Sequence, residues 1–216
     1  MSTAPVSPAP GLLRSSAVVG AMTMISRVLG LLRDIVLAAV LGASANADAF
    51  FIAFKIPNFL RRLFAEGAFS QAFVPVLAEY REAGGQAAVR ELIDRVAGVL
   101  GGVLAALTVL TLLAAPLVAG LFAPGYVAQP EKFALTSQLI RITFPYLMLI
   151  SLTGMCGAVL NSYGRFAVPA LTPVLLNIAL ISAALLAAPH FAEPAFALAW
   201  GVLAAGVIQL LFQLPF

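Results

Sequence analysis

The residues best suited to chemistry are ionisable side chains that cluster early in a largely apolar chain. Five are basic and three are acidic: Arg27, Arg33, Asp34, Asp48, Lys55, Arg61, Arg62 and Glu66. A charge at the centre of a bilayer costs at least about 2.5–3.5 kcal/mol on insertion scales, so such residues pair or face a wet cavity. Guanidinium groups bind phosphate through paired, charge-assisted hydrogen bonds. The cluster therefore predicts a water-accessible, cationic cavity for an anionic head group, with the acidic residues holding the arginines or gating the cavity.

Helical geometry assigns the first members of this cluster to faces of one segment. At about 100° per residue, Ser26, Gly30 and Arg33 share a face. Arg27 and Asp34 lie on an adjoining face that also includes Gly30, where a missing side chain would let another backbone or a ligand approach. Arg33 and Asp34 are sequence neighbours, which do not face each other on a helix, so we expect their pairing to need other helices.

A second segment contributes one polar stripe if its helix continues through Pro57, where we expect a kink because proline removes a hydrogen bond. The stripe comprises Lys55, Asn58, Arg62 and Glu66. Arg61 lies about 100° from Arg62, so the two arginines cannot both belong to it. As a structural alternative, Arg62 and Glu66 form a simple intrahelical ion pair.

The elements that position these residues are apolar helices long enough to cross a membrane. The 216 residues are 62% hydrophobic and 10% charged, whereas an average soluble domain carries about 25% charged residues. Half of the chain lies in four stretches without Asp, Glu, Lys or Arg, at 96–130, 142–164, 166–192 and 194–216. Each is longer than the roughly 20 residues that a spanning helix needs, and none alternates like a barrel strand. We predict an all-α, polytopic membrane protein.

We predict a flexible tail at 1–14, followed by one bundle of six transmembrane helices at 15–216. The approximate helices are 15–41, 47–80, 92–122, 133–161, 166–188 and 195–215. With six spans, the loops on the N-terminal side hold five basic residues, and the opposite loops hold only Lys132. Because Lys and Arg concentrate in cytoplasmic loops, the N-terminus is predicted to be cytoplasmic. The tail lacks the basic region of a signal peptide.

No residue pattern points to catalysis, a metal or a cofactor. The one cysteine, Cys156, is interpreted as a packing residue, and the one histidine, His190, as a solvated loop residue. The sequence lacks the HExxH, GxSxG and P-loop motifs, so we expect neither an enzyme nor ATP binding. Transport would draw on an ion gradient or the membrane potential. Basic loops are usual in membrane proteins, so the net charge of +3 indicates no nucleic-acid partner.

Long and specific motifs resemble one known family. The segment 24–80, with its SRxxGxxRD and NxLRRxFAEGAFSQAFVP patterns, closely resembles the start of the MurJ (also MviN) family of bacterial lipid II flippases. The segments 132–152, 161–178 and 198–215 are similar to that family too. The resemblance covers nearly everything after the predicted tail.

The resemblance implies a fold of the multidrug/oligosaccharidyl-lipid/polysaccharide exporter superfamily. In that fold two six-helix lobes surround a central cavity, and MurJ-like proteins add two helices. The resemblance also implies movement of lipid II, an undecaprenyl-pyrophosphate-linked disaccharide pentapeptide, from the inner to the outer leaflet of the bacterial cytoplasmic membrane. Family members are longer, so the chain resembles the N-terminal lobe of a 14-helix flippase. Its expected partners are a C-terminal lobe and membrane lipids, and we expect it to be inactive alone.

The resemblance also assigns roles to individual positions. The family's functional arginines fall on Arg27, Arg33 and Arg61, and Ser26 matches a position in the same motifs. We predict that these four residues bind the substrate. Its cavity-associated acidic position falls on Asp48, and Glu66 also matches a motif position. The resemblance thus favours Arg61, whereas the helical stripe emphasises Lys55 and Arg62.

Other functions stay open on the sequence. One is export of another lipid-linked oligosaccharide, and a cationic drug is disfavoured because the first two segments are net positive. The other is a non-transporting membrane scaffold, in which the charges join helices and charge-swapped pairs would restore function. Arg141, inside the fourth predicted span, could extend to the membrane surface in either case.

Overall fold

The structure is a computed structural model that describes residues 10–62 and 70–216. Every regular element within these residues is a helix. The first half contains α1 (Pro10–Leu41), α2 (Ala45–Arg61), α3 (Ser70–Leu113), α4 (Ala115–Phe122) and a 3-10 turn (Pro124–Tyr126). The second half contains α5 (Pro130–Thr143), α6 (Tyr146–Ser162), α7 (Ala167–Ser182), a π turn (Ala183–Ala187), a 3-10 turn (Ala188–His190) and α8 (Pro194–Gln213). The predicted all-α fold is confirmed.

Four described helical segments are long and apolar enough to cross a membrane: Ala72–Leu113, Pro130–Ser162, Ala167–His190 and Pro194–Gln213. α1 has 32 residues, a length of about 48 Å at a rise of about 1.5 Å per residue, but it carries Arg27, Arg33 and Asp34. It begins at Pro10, within the tail predicted at 1–14. The ionisable cluster interrupts the apolar character of the first two predicted spans, and the count of six spans stays a prediction.

α3 joins two predicted elements across one kink. Gly85 has a φ of 66°, in the left-handed region that glycine adopts without strain. The chain is helical on both sides of this residue, so the stretch between the predicted helices 47–80 and 92–122 is itself helical apart from the kink.

Prolines explain two further departures from the predicted helices. Pro116 has no N–H for the carbonyl four residues earlier, and the predicted helix 92–122 splits there into α3 and α4. Pro145 likewise separates α5 from α6 inside the predicted helix 133–161. α2, in contrast, continues through Pro57.

α8 packs against α2, α5, α6 and α7. Small residues allow this close packing: a Cβ on Gly201 would lie 2.6 Å from Cβ of Ala183, and one on Gly206 would lie 2.7 Å from Cδ2 of Tyr146. Small residues at helix contacts favour association in lipid, where no hydrophobic force drives helices together. α8 thereby contacts both α2, which carries Lys55 and Arg61 of the polar site described next, and α7, which carries Asn177.

Candidate functional site

Four basic side chains surround one cavity of about 700 Å³ at the end of α2. They are Arg33 of α1, Lys55 and Arg61 of α2, and Arg62, which follows α2 directly. None of the described lining residues is acidic, and most of the others are apolar. Apolar surroundings lower the local dielectric and strengthen the attraction of these charges for an anion.

Arg33 is held by three hydrogen bonds. Its Nε and Nη2 donate to Oδ1 of Asp34 at 2.9 and 2.7 Å, and its Nη1 donates to Oδ1 of Asn177 at 3.0 Å. The expectation that Arg33 and Asp34 need other helices to pair is wrong, because the long arginine side chain bends along its own helix to reach the next residue. α7 supplies only the third bond. Together the bonds orient the guanidinium at the cavity wall.

Asn177 of α7 is a site residue that the sequence analysis missed. It is only 3% exposed, accepts from Arg33 through Oδ1, and donates through Nδ2 to the backbone carbonyl of Ser26 at 3.0 Å. Ser26 thus takes part through its main-chain oxygen. A Cβ on Gly30 would lie 3.8 Å from Nδ2 of Asn177, so the group that approaches Gly30 is a side chain of α7 and not a backbone. The available signal was a lone amide inside the apolar run LLNIAL.

The structure does not bring every predicted site residue to this cavity. Arg27 is exposed on α1 and is not among the described lining residues. Glu66 lies outside the described residues, so its ion pair with Arg62 stays a prediction. Lys55 and Arg62 line the cavity together with Arg61, so the helical stripe and the family positions meet at one place.

Asp48 lies in the first turn of α2, outside the described cavity wall, and pairs with a residue of α5. Nζ of Lys132 donates to Oδ2 of Asp48 at 2.5 Å and lies 4.2 Å from the ring centroid of Tyr126. The Asp48 side chain is 57% exposed, so water competes for this ion pair. On the sequence alone Lys132 is a loop charge, whereas in the structure it links α5 to α2.

α5 also supplies donors to carbonyls that prolines leave without helical partners. Nε of Arg141 donates to the carbonyl of Leu112 at 3.2 Å, and the helical donor to that carbonyl would have been Pro116. Arg141 therefore binds the break between α3 and α4, which the sequence analysis did not foresee. The hydroxyl of Thr143 likewise reaches the carbonyl of Ala53 in α2, whose helical donor would have been Pro57.

Within residues 10–62 and 70–216, no three His, Cys, Asp or Glu side chains group so that they could hold a metal ion. His190 is exposed, and Cys156 is a half-buried free thiol. What the described cavity offers a ligand is a set of guanidinium and ammonium donors.

Comparison with known proteins identifies one family. A family model described as "Lipid II flippase MurJ" matches residues 37–216. A probable lipid II flippase MurJ of Vibrio cholerae is 49% identical over 212 residues, which cover 95% of this chain and 40% of that protein. The lipid II flippase MurJ of Burkholderia cenocepacia is 48% identical over 204 residues, with coverage of 94% and 40%.

The fold is shared as well. A solved structure of lipid II flippase MurJ in an inward closed conformation has a TM-score of 0.79 and 30% sequence identity, over 91% of this chain and 41% of that one. This chain spans about 40% of the length of the curated relatives it matches. Apolar helices, a basic cavity and a match over most of the chain agree: it is a membrane protein that belongs to the MurJ family of lipid II flippases.

Proposed function

We propose that this chain is the N-terminal lobe of a flippase that moves lipid II across the bacterial inner membrane for cell wall synthesis. One observation carries the proposal: Arg33, Lys55, Arg61 and Arg62 surround a single cavity whose described wall contains no acidic side chain. The pyrophosphate of lipid II has the complementary negative charge. Guanidinium groups bind phosphate oxygens through paired hydrogen bonds, and an ammonium adds a point charge.

Arg33 is the preorganised donor of this cluster. Asp34 and Asn177 hold its guanidinium in place, so binding a phosphate costs less side-chain entropy than it would for a freely rotating arginine. Arg61 supplies the second guanidinium from α2. Arg27 would reach the head group from the exposed face of α1. No covalent bond changes, and transport needs only that binding and release occur on different sides of the membrane.

A C-terminal lobe would supply the second wall of the cavity. Large apolar side chains of α1 are exposed and would face that lobe or lipid: Met24, Val28, Leu31 and Ile35. Rocking one lobe against the other would open the site to each side in turn. The Asp48–Lys132 pair would organise or gate this motion, and an ion gradient or the membrane potential would drive it. A single lobe leaves a half-cavity open to lipid, so we expect residues 1–216 alone not to flip lipid II.

The proposed location is the cytoplasmic membrane, with six spans and a cytoplasmic N-terminus. Two contacts support this alternation. Nη1 of Arg81 donates to the carbonyl of Ser162 at 2.8 Å, which joins two polar connections predicted to be cytoplasmic. The Asp48–Lys132 pair joins two connections predicted to lie on the opposite side. The excess of Lys and Arg in the first set sets the orientation.

The test replaces the cavity arginines in the full-length protein that carries this chain. Arg33→Ala or Arg61→Ala should abolish the appearance of lipid II at the outer face of flippase-depleted cells and leave membrane abundance unchanged. Arg95→Ala is the matched control, because Arg95 is exposed and pairs only with Glu91 in its own helix among the described contacts. Normal growth and lipid II exposure in cells that depend on either cavity variant would refute the proposal.

The scaffold alternative rests on one observation, since the Asp48–Lys132 pair joins two helices. A scaffold needs the ion pair itself, whichever helix carries the negative charge. Exchanging the two charges would therefore restore the function of a scaffold that a single substitution had disrupted. Another lipid-linked oligosaccharide would share the anionic group, and the same assay run with that lipid separates it from lipid II.

A further inference from the structure

A second pocket, of about 520 Å³, lies between α6, α7 and α8 and is almost free of charge. Arg61 is the single charged residue among its described lining residues. The neutral polar residues of the wall come from four helices: Asn58, Thr153, Asn161, Ser162, Thr172, Gln209 and Gln213. The volume falls within the range of roughly 300–1,000 Å³ that is usual for small-molecule sites. The pocket therefore suits a neutral group that forms hydrogen bonds.

Two glutamines of this wall have acceptors without donors. Nε2 of Gln209 donates to the carbonyl of Thr172 at 2.7 Å, and Nε2 of Gln213 donates to Oγ1 of Thr172 at 2.6 Å. These bonds orient both amides. Oε1 of each glutamine is buried and has no hydrogen-bond partner within the described part of the chain. Buried polar atoms are nearly always satisfied, so these two acceptors, one helical turn apart, have hydrogen bonds that a bound group or a water molecule would complete.

Beside Gln213, the wall of the pocket includes a residue without a side chain. Gly157 of α6 lines the pocket, and Oε1 of Gln213 lies 3.7 Å from the point that a Cβ on Gly157 would occupy. The same point is 3.4 Å from Cβ of Pro169, which is ordinary contact. An added methyl group would therefore fit the fold while narrowing the pocket beside an orphaned acceptor.

The neutral pocket adjoins the cationic cavity. Asn58, Arg61 and Leu176 line both of them. A ligand whose anionic group binds at Arg61 would thus place its next group beside Gln209 and Gln213. A group with several hydroxyl and amide N–H donors and no net charge would satisfy both free acceptors, and a carbohydrate has that chemistry.

We infer that the pocket between α6, α7 and α8 binds the sugar portion of the transported lipid, next to the cationic cavity that binds its pyrophosphate. This inference rests on the proposed function. It makes Gln209, Gln213 and Gly157 determinants of the sugar and leaves the charge of the head group to the arginines.

The test compares two probes that share anchor and pyrophosphate, lipid II and undecaprenyl pyrophosphate. Binding of each to the full-length protein that carries this chain, in lipid nanodiscs, is measured by native mass spectrometry. Gln209→Met and Gln213→Met keep a similar side-chain length and remove the free acceptor together with the Nε2 donor to Thr172. Each should lower the affinity for lipid II at least about fivefold. Undecaprenyl pyrophosphate, which lacks the sugar, should bind as before and thereby reports intact folding. Gln138→Met, on the exposed face of α5, is the matched control and should change neither affinity.

Gly157→Ala provides an independent arm, because it narrows the pocket without removing a polar atom. This substitution should also lower the affinity for lipid II and leave the affinity for undecaprenyl pyrophosphate unchanged. Equal affinities of lipid II for the wild type and all three variants would overturn the inference, since the acceptors would then be served by water only. An equal loss of affinity for both lipids in these variants would overturn the inference as well, because the glutamines would then support the fold and not the sugar. If the Arg33→Ala variant binds both lipids as tightly as the wild type, the proposed function is refuted. Failure of the proposed function is thus distinguishable from failure of the sugar-binding inference.

Discussion

The hydroxyl of Thr143 shares its one proton between two backbone carbonyls at 3.0 Å, that of Leu139 in its own helix and, across the buried contact between α5 and α2, that of Ala53. The Ala53 carbonyl has no helical donor, because the residue four positions later is Pro57. α2 therefore continues through a proline with its hydrogen bonding completed by a neighbouring helix. The bond lies just before the part of α2 that presents Lys55 and Arg61 to the cationic cavity.

Removing the Thr143 hydroxyl should loosen α2. Thr143→Val leaves a buried carbonyl without a donor and should lower the free energy of unfolding by about 1–2 kcal/mol, whereas Thr143→Ser should not. In a Pro57→Ala background the cost should shrink, because the restored N–H binds Ala53. Unfolding in mixed micelles, analysed as a double-mutant cycle, measures this coupling.

The control for that cycle is Thr136→Val. Thr136 is equally buried, but among the described contacts its hydroxyl binds only the carbonyl of Lys132 in its own helix. Its cost should be the same in both backgrounds. A Thr143→Val cost that is also independent of Pro57 would show that the inter-helix bond contributes nothing.

Asn177 should matter for binding although it does not line the cationic cavity. Asn177→Leu keeps the approximate volume and removes the bonds to Arg33 and to the Ser26 carbonyl. Hydrogen bonds to charged groups contribute about 1.5–3 kcal/mol, so the affinity of the full-length protein for lipid II should fall about tenfold or more. Ser182→Ala, exposed on the same helix, should have no effect. Unchanged affinity of Asn177→Leu would mean that Arg33 needs no support from α7.

Exchanging the charges of Asp48 and Lys132 separates a structural from a transport role. Asp48→Asn or Lys132→Gln should each weaken the contact of α2 with α5, and more at low salt, because screening already weakens the bond at high salt. The double swap re-forms an ion pair, although a cation in the first turn of α2 opposes the helix dipole.

The readouts of the swap are cross-linking between α2 and α5 and lipid II exposure in cells. We expect the swapped protein to recover the cross-link but not transport, because the family motif places the carboxylate on α2. Recovery of both would favour the scaffold alternative.

The glycines of α8 should be intolerant of side chains where that helix touches α6. A Cβ on Gly206 would lie 2.7 Å from Cδ2 of Tyr146 and 3.1 Å from Cβ of Leu149. Gly206→Ala should therefore lower the free energy of unfolding by roughly 1–3 kcal/mol through overpacking. Gly98→Ala in α3 meets nothing within 4 Å and should be neutral or stabilising by up to about 1 kcal/mol. Equal stability of the two variants would show that α8 is not tightly packed there.

Much of the fold could be predicted from local patterns in the sequence. The runs without charge required helices, because a segment in lipid must satisfy its own backbone hydrogen bonds. The face shared by Ser26, Gly30 and Arg33 followed from the helical repeat alone, and α7 does approach at Gly30. Pro116 and Pro145 were visible in the sequence too. A proline can end a helix, as these two do, or lie within a continuous helix, as Pro57 does. Which of the two occurs depends on the hydrogen-bond donors that neighbouring helices offer.

The sequence by itself determined an all-α membrane protein of the MurJ family and the identity of its ionisable cluster, since helix periodicity and family motifs are local properties. Only the tertiary structure decided which charges surround the cavity and what holds them. Asn177 reaches Arg33 from 144 positions away, Thr143 reaches Ala53 from 90, and Lys132 reaches Asp48 from 84. No repeat within one helix encodes those distances. They arise from how closely small residues let whole helices pack, and that packing is a property of the bundle.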